Sequence, residues 1–301
     1  MRILITGARG QLANELGRAL ESGRTEIGEV PAELSGAEVD LVDLDDFDVS
    51  DWAATSAWLA ARAPYDLFVN CAAMTNVDGC ETDEAAAFRA NALGPLNLAR
   101  ASREQGAKLV HVSTDYVFPG SDPTPRTEDD VCAPISAYGR TKLAGEGLAL
   151  ANNPRTMVVR TAWLYGYVGR NFVKTMLRLA DAHDHVTVVD DQLGNPTSAA
   201  DVAHEVLRIA ATEDFGTYHC TNEGTCSWAD FAEAIMDAFG RDCEVRRCTS
   251  EEYKRMVPGS ADRPRFSSLE NARLERGLGN EMRPWREALA SYACNYGELA
   301  G

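Results

Sequence analysis

The chain has no Cys-x-x-Cys pair among its eight cysteines and no paired Cys/His spacing of the kind that grips zinc. Free thiols in a reducing compartment are the expected state. His183-Asp184-His185 reads as a solvated turn between a helix and a strand, not as a metal site. No segment is apolar for long enough to span a bilayer, and the first residues lack a signal-peptide pattern. A cytoplasmic protein without membrane contact is therefore expected. Positive charge is scarce: 29 Lys and Arg stand against 46 Asp and Glu, a net charge of −17. Such a surface repels polyphosphate and argues against nucleic acid as a partner. A small anionic ligand would need locally placed Arg side chains and helix N-termini. Internal repeats and low-complexity tracts are missing too. With 45% hydrophobic and 25% charged residues over 301 positions, the chain can bury an ordinary core.

Short apolar runs of the buried parallel-strand type occur at Arg2–Thr6, Asp66–Asn70, Lys108–Ser113 and Thr156–Thr161, with a more acidic one at Val39–Asp43. Helical patterns lie between them. Leu12, Leu16, Ala19 and Leu20 are spaced by three and four, and Trp52–Arg62 and Pro134–Ala151 read as helices. Thr82 is placed to cap a helix running to about Gln105, with Gly106 ending it. The stretch Glu21–Glu38 is poorly patterned and reads as a surface loop or short helix. Strands alternating with helices predict an α/β fold with a doubly wound parallel sheet. After Trp163 the alternation loosens. Helices are predicted near Phe172–Ala182, Ala199–Ala211 and Ser227–Phe239, with a short strand at Val186–Val189. The expected organisation is a dinucleotide-binding domain over 1–162 and a mainly substrate-binding portion over 163–301, with segments near 186–212 returning to the main sheet.

Three motifs carry chemistry. Gly7-Ala8-Arg9-Gly10-Gln11-Leu12-Ala13 follows a strand and opens a helix, the context of a pyrophosphate-binding turn in a Rossmann-type fold. The third glycine usual in such turns is missing; Ala13 stands there. Tyr138-Gly139-Arg140-Thr141-Lys142 puts a phenol and an ammonium one helical turn apart on a shared face. A nearby Lys cation is expected to lower the phenol's pKa and suit it to proton transfer. Val112-Ser113-Thr114-Asp115-Tyr116 lies at the carboxyl end of a strand, where open parallel sheets place their sites. All three motifs, in this order, point to a nicotinamide-dependent oxidoreductase.

These motifs, with Asn70-Cys71-Ala72-Ala73-Met74-Thr75, Ser113–Phe118, Arg160–Gly166, Asp191-Gln192-Leu193-Gly194-Asn195-Pro196-Thr197 and Arg263-Pro264, resemble the extended short-chain dehydrogenases. More narrowly, they resemble the dTDP-4-dehydrorhamnose reductase family, over almost the whole chain. The resemblance implies Thr114, Tyr138 and Lys142 as catalytic residues. Gly7, Arg9, Gly10, Gln11, Leu12, Asp43, Asp48, Val49, Asn70, Ala72 and Ala73 would surround the cofactor together with Tyr138 and Lys142. Thr75, Asp115, Tyr116, Trp163, Asn171 and Arg263 would meet a nucleotide-sugar. The cofactor would be NADPH or NADH. Asp43 favours NADH through a ribose hydroxyl, and Arg9 favours a 2′-phosphate. A homodimer and a Mg2+ requirement are compatible with the resemblance, although no carboxylate cluster is placed for the metal. The alternatives are another nucleotide-sugar enzyme of the same fold, such as an epimerase or keto-sugar reductase, or a cofactor-binding regulatory subunit like that of methionine adenosyltransferase.

Overall fold

The computed structural model describes residues 1–300. Six parallel strands form the main sheet: β1 (Arg2–Thr6), β2 (Glu38–Val42), β3 (Leu67–Asn70), β4 (Lys108–Thr114), β5 (Thr156–Thr161) and β6 (Gly216–His219). Their order is β6-β5-β4-β3-β1-β2. The chain thus builds outward from β1 in one direction, then crosses back to β3 and builds in the other. That reversal between β1 and β3 is the topological switch point, outside whose strand ends a crevice opens. The apolar runs are buried on both faces, as parallel strands require: Ile3, Leu4, Ile5, Phe68, Val69, Leu109 and Val110 are at most 1% exposed.

Helix α1 (Gln11–Ser22) buries Leu12, Ala13, Leu16, Ala19 and Leu20 against one sheet face, and Gly23 ends it in the left-handed region at φ 75°. It packs beside α4 (Ala199–Ala210), whose Val202, Val206 and Leu207 join the same core. The opposite face carries Trp52–Ala60, α2 (Gly94–Glu104) and the end of α3 (Ala137–Asn152). Ser136 caps α3 by accepting from the Gly139 N–H.

Several elements depart from the expected pattern. The helix foreseen from Thr82 to Gln105 is broken into Val77–Thr82, Glu84–Phe88, a π-helical turn over Arg89–Leu93, and α2. Asp83, not Thr82, caps the second piece, accepting from Ala86 N at 2.8 Å. The π turn is held by Asn91, whose side chain closes a two-bond clasp on the Met74 backbone at 2.8 and 3.0 Å. The strand His185–Val189 does not return to the main sheet. It pairs with Glu244–Cys248 in a separate two-stranded sheet. The return is made instead by α4 on the sheet's face and by β6 at its edge. A final helix, Trp285–Leu299, follows these elements. It packs with Trp228–Ala238 around a second core that includes Phe231, Ile235, Leu289 and Tyr292.

Candidate active site

The glycine turn and the exit of β3 meet at the switch point. Gly7 holds φ +77°, and a Cβ on it would stand 2.8 Å from Ala72 N, so only glycine fits. The first turn of α1 has no side-chain cap and no acidic residue. Its N–H groups and positive dipole end are left for an anion. Beneath this turn, Thr6 donates to Asn70 Oδ1 at 2.8 Å, Ala72 N donates to the same oxygen at 3.1 Å, and Asn70 Nδ2 meets His111 Nδ1 at 3.0 Å. Asn70 therefore supports the loop from below and is not among the lining residues.

A cleft of 710 Å³ runs from this turn to the ends of β4 and β5. Gly7, Arg9, Gly10, Gln11, Leu12, Asp43, Asp48, Val49, Ala72 and Ala73 line one end. Thr75, Thr114, Asp115, Tyr138, Lys142 and Trp163 line the other. A glycine cradle, an uncapped helix start and a long cleft ending at a phenol and an ammonium suit an extended dinucleotide.

Tyr138 and Lys142 lie one turn apart on α3, as expected, but their electrostatics differ from the expectation. Burial raises the Tyr138 phenol above its ordinary range. A hydrogen bond with Thr114 pulls it down, and the Asp115 and Cys80 charges push it up. Lys142 is not among the causes: its Nζ donates to the Val112 carbonyl at 2.6 Å. Burial lowers the Lys142 ammonium to about 8, opposed by Glu146 and Cys71. Thr114 donates to Asp115 Oδ1 at 2.8 Å and accepts from Tyr116 N at 3.2 Å. Burial pushes Asp115 up to about 7, against hydrogen bonds from Ser267 and Thr114.

At the rim, Asp43 accepts from Arg9 N and Leu44 N, each at 2.8 Å. The Arg9 guanidinium pairs with Asp45, with both side chains about seven-tenths exposed.

The model of the RmlD substrate binding domain family matches residues 1–297. The chain belongs to this family. It is similar to the dTDP-4-dehydrorhamnose reductase of Mycobacterium tuberculosis, 40% identical over 96% of this chain and 91% of that one. Among solved structures, a dTDP-4-dehydrorhamnose reductase from Clostridium acetobutylicum matches with TM-score 0.89 and 44% identity, covering 97% of this chain and 98% of that one. The Bacillus anthracis dTDP-4-dehydrorhamnose reductase in complex with NADP matches with TM-score 0.89 and 34% identity, covering 98% and 99%.

Within this RmlD-family fold, three residues expected at the substrate stand apart from the cleft lining. Asn171 caps the helix Phe172–Ala180. Its Oδ1 accepts from Lys174 N at 2.9 Å, and its Nδ2 donates to Gln11 Oε1 and Gly166 O, each at 2.8 Å. Both ends of the amide are thus committed within the protein, beside the cofactor end. Arg263 reaches across to Asp78 at 3.2 and 3.3 Å. Tyr116 sits behind Tyr138, edge to face, with ring centroids 5.7 Å apart. Sequence reasoning missed Asn91, Cys71, Thr161 and Arg170. The last three line the cleft. Thr161 was visible as a strand end and within the Arg160–Gly166 run, and Asn91 gave no signal because its role depends on the distant Met74 backbone. Among the described residues, no group of three or more His, Cys, Asp and Glu side chains is arranged to hold a metal ion.

Proposed function

We propose that the chain reduces the C4 ketone of dTDP-4-dehydro-L-rhamnose to dTDP-L-rhamnose, using NADPH or NADH. What carries the reading is that Tyr138, Thr114 and Lys142 share one cleft with the glycine turn that opens α1. The family and its similar reductases, one of them in complex with NADP, support the same reading. The dinucleotide, when bound, supplies the hydride.

The residues of the chain do the rest. Burial keeps the Tyr138 phenol protonated at neutral pH, so it reaches the reaction as an acid. A carbonyl oxygen that gains hydride becomes a stronger base than phenolate, and the proton passes to it downhill. Thr114 holds that oxygen. The ammonium of Lys142 keeps one N–H on Val112 O and has two others with which to hold ribose hydroxyls. Gly7, Gly10 and the first turn of α1 hold the pyrophosphate. Thr75, Asp115 and Trp163 bound the sugar. Arg9 is the group for a 2′-phosphate, because an exposed pair such as Arg9–Asp45 costs little to open. A soluble nucleotide-sugar enzyme acting in the cytoplasm is the corresponding setting.

The test is nicotinamide oxidation by the purified protein with freshly generated dTDP-4-dehydro-L-rhamnose. Turnover should fall roughly 10²- to 10⁴-fold in Tyr138→Phe while cofactor affinity stays unchanged, since only the proton donor is removed. Near-normal turnover in the variant would remove Tyr138 from its role. No oxidation by the wild type, despite clear cofactor binding, would overturn the reductase reading.

A further inference from the structure

The run Asp191–Thr197 stood out in the sequence, yet no step above uses it. In the fold it lies under Trp163. Trp163 is the one non-glycine residue with positive φ among the described residues, at 45°. A bulky side chain in that region is strained and persists only where its surroundings impose it. Three contacts do so here. Thr197 N donates to the Trp163 carbonyl at 3.2 Å. The Trp163 indole lies flat on Trp228, with centroids 3.6 Å apart and planes 8° apart. It also presses on Gly194, where a Cβ would stand 2.5 Å from Cε2 and 2.7 Å from Nε1.

Gly194 is not needed for its own backbone, since its φ lies outside the positive range. The missing side chain serves only the indole. Gly194 is also fixed from behind. Leu193–Gly194 pairs antiparallel with Cys226–Ser227, and Ser227 caps the helix that begins with Trp228. One short ladder therefore sets both surfaces on which the indole rests. Phe172 packs on Trp228 with centroids 4.5 Å apart and completes the support. The indole itself lines the cleft with Thr114, Asp115 and Tyr138.

We propose that Gly194 and Trp228 form a seat that determines sugar specificity, by fixing how far the Trp163 indole stands into the cleft. The inference rests on the reading of that cleft as a nucleotide-sugar site. Neither residue touches substrate; both act through Trp163.

Gly194→Ala tests it. Ordinary carbon contacts are about 3.5–4.0 Å, so the new methyl displaces the indole by roughly an ångström. Two stacked indoles give an exciton couplet in circular dichroism, which reads the seat without any ligand; Gly194→Ala should diminish it. Binding of dTDP-L-rhamnose, measured by calorimetry, should weaken at least tenfold, while binding of dTDP alone and of NADPH changes less than twofold. In a Trp163→Ala background the same Gly194→Ala change should alter dTDP-L-rhamnose binding less than twofold, because the clash partner is gone. Trp228→Phe should keep most of the affinity and Trp228→Ala lose it. An unchanged couplet in Gly194→Ala, equal losses for dTDP and dTDP-L-rhamnose, or additive losses in the Trp163→Ala background would each overturn the proposal. If the wild type binds NADPH but not dTDP-L-rhamnose, the nucleotide-sugar reading falls and the specificity role with it, while the couplet still reports whether Gly194 seats the indole.

Discussion

Asp115 is a carboxyl group held where a carboxylate is costly. It is 2% exposed, and one oxygen accepts from Thr114. Burial is what raises it to about 7 from the ordinary 3.8. The direction of the stability effect follows. Below pH 3.8 the group is protonated in both folded and unfolded chains, and the contribution of its raised pKa is fully present. Between 3.8 and about 7 the unfolded chain releases the proton and the folded one keeps it, so that stability is lost as pH rises. Asp115→Asn removes this dependence. Denaturant unfolding at several pH values should show the variant gaining on the wild type from pH 4 to 7, by up to about 4 kcal/mol, with a constant difference above that. A flat difference would mean that Asp115 is ionised throughout. At this scale the sequence was most legible where chemistry repeats a local spacing. Tyr138 and Lys142 needed only one helical turn, and Thr114 only a strand end. The cap that Asn171 forms was not legible, because the sequence does not reveal which partners a polar side chain already has.

α3 carries its functional side chains as a stripe: Tyr138, then Lys142, then Glu146, each one turn further. Glu146 fastens the helix to the sheet. It accepts from Ser113 Oγ at 2.5 Å on β4 and takes a two-point contact from Arg160 on β5 at 3.0 and 2.7 Å. Arg160 and Glu146 are 6% and 3% exposed. The pair sets the register between the helix bearing the phenol and the strand bearing Thr114. Removing one partner of a buried pair strands the other charge, at a cost of about 3–5 kcal/mol. Glu146→Ala should lose that much in urea unfolding and also lower turnover, whereas Glu146→Gln, which can still accept from Ser113, should lose less. Equal losses in the two variants would mean that the charge, which both lack, is what matters and the bond from Ser113 is not. Elements of this kind were partly legible. Continuous apolar runs between helical patterns revealed β1, β3, β4 and β5, because a strand buried on both faces has little freedom in composition; the half-exposed β2 showed as an acidic run. The break in the helix after Thr82 was hidden, because Asn91 draws it toward Met74 from outside the local pattern. The closing helix Trp285–Leu299 was hidden because its buried face is shared with a core assembled from distant segments.

The least patterned stretch of the first half, Glu21–Glu38, turns out to join the two ends of the molecule. It holds a bridge between Arg24 and Glu29 and a 3-10 turn over Ala32–Leu34. Its Glu26 carboxylate accepts from Tyr167 at 2.5 Å, from Arg283 at 3.1 Å and from Ser291 at 2.8 Å. Nearby, Thr25 Oγ1 meets His204 Nδ1 on α4 at 2.8 Å. Burial alone would raise the Glu26 carboxyl, but the bonds from Tyr167, Ser291 and Arg283 outweigh it and hold the group below its ordinary range. Its stabilisation is therefore present above about pH 4.5 and lost as pH falls through the lowered value. Glu26→Ala leaves the Tyr167 hydroxyl without its carboxylate. Arg283, however, keeps Asp201, so the loss belongs near the low end for a broken buried pair, about 3 kcal/mol. The distribution of that loss is the sharper expectation. Hydrogen exchange should speed up in 21–38 and in Trp285–Leu299 together, although they lie at opposite ends of the chain. The amides of β1, β3 and β4 should keep their protection, and NADPH affinity should not change. Faster exchange in only one of the two segments would show that Glu26 does not couple them. Uniform acceleration would mean that the sheet and the C-terminal helix unfold as a single unit.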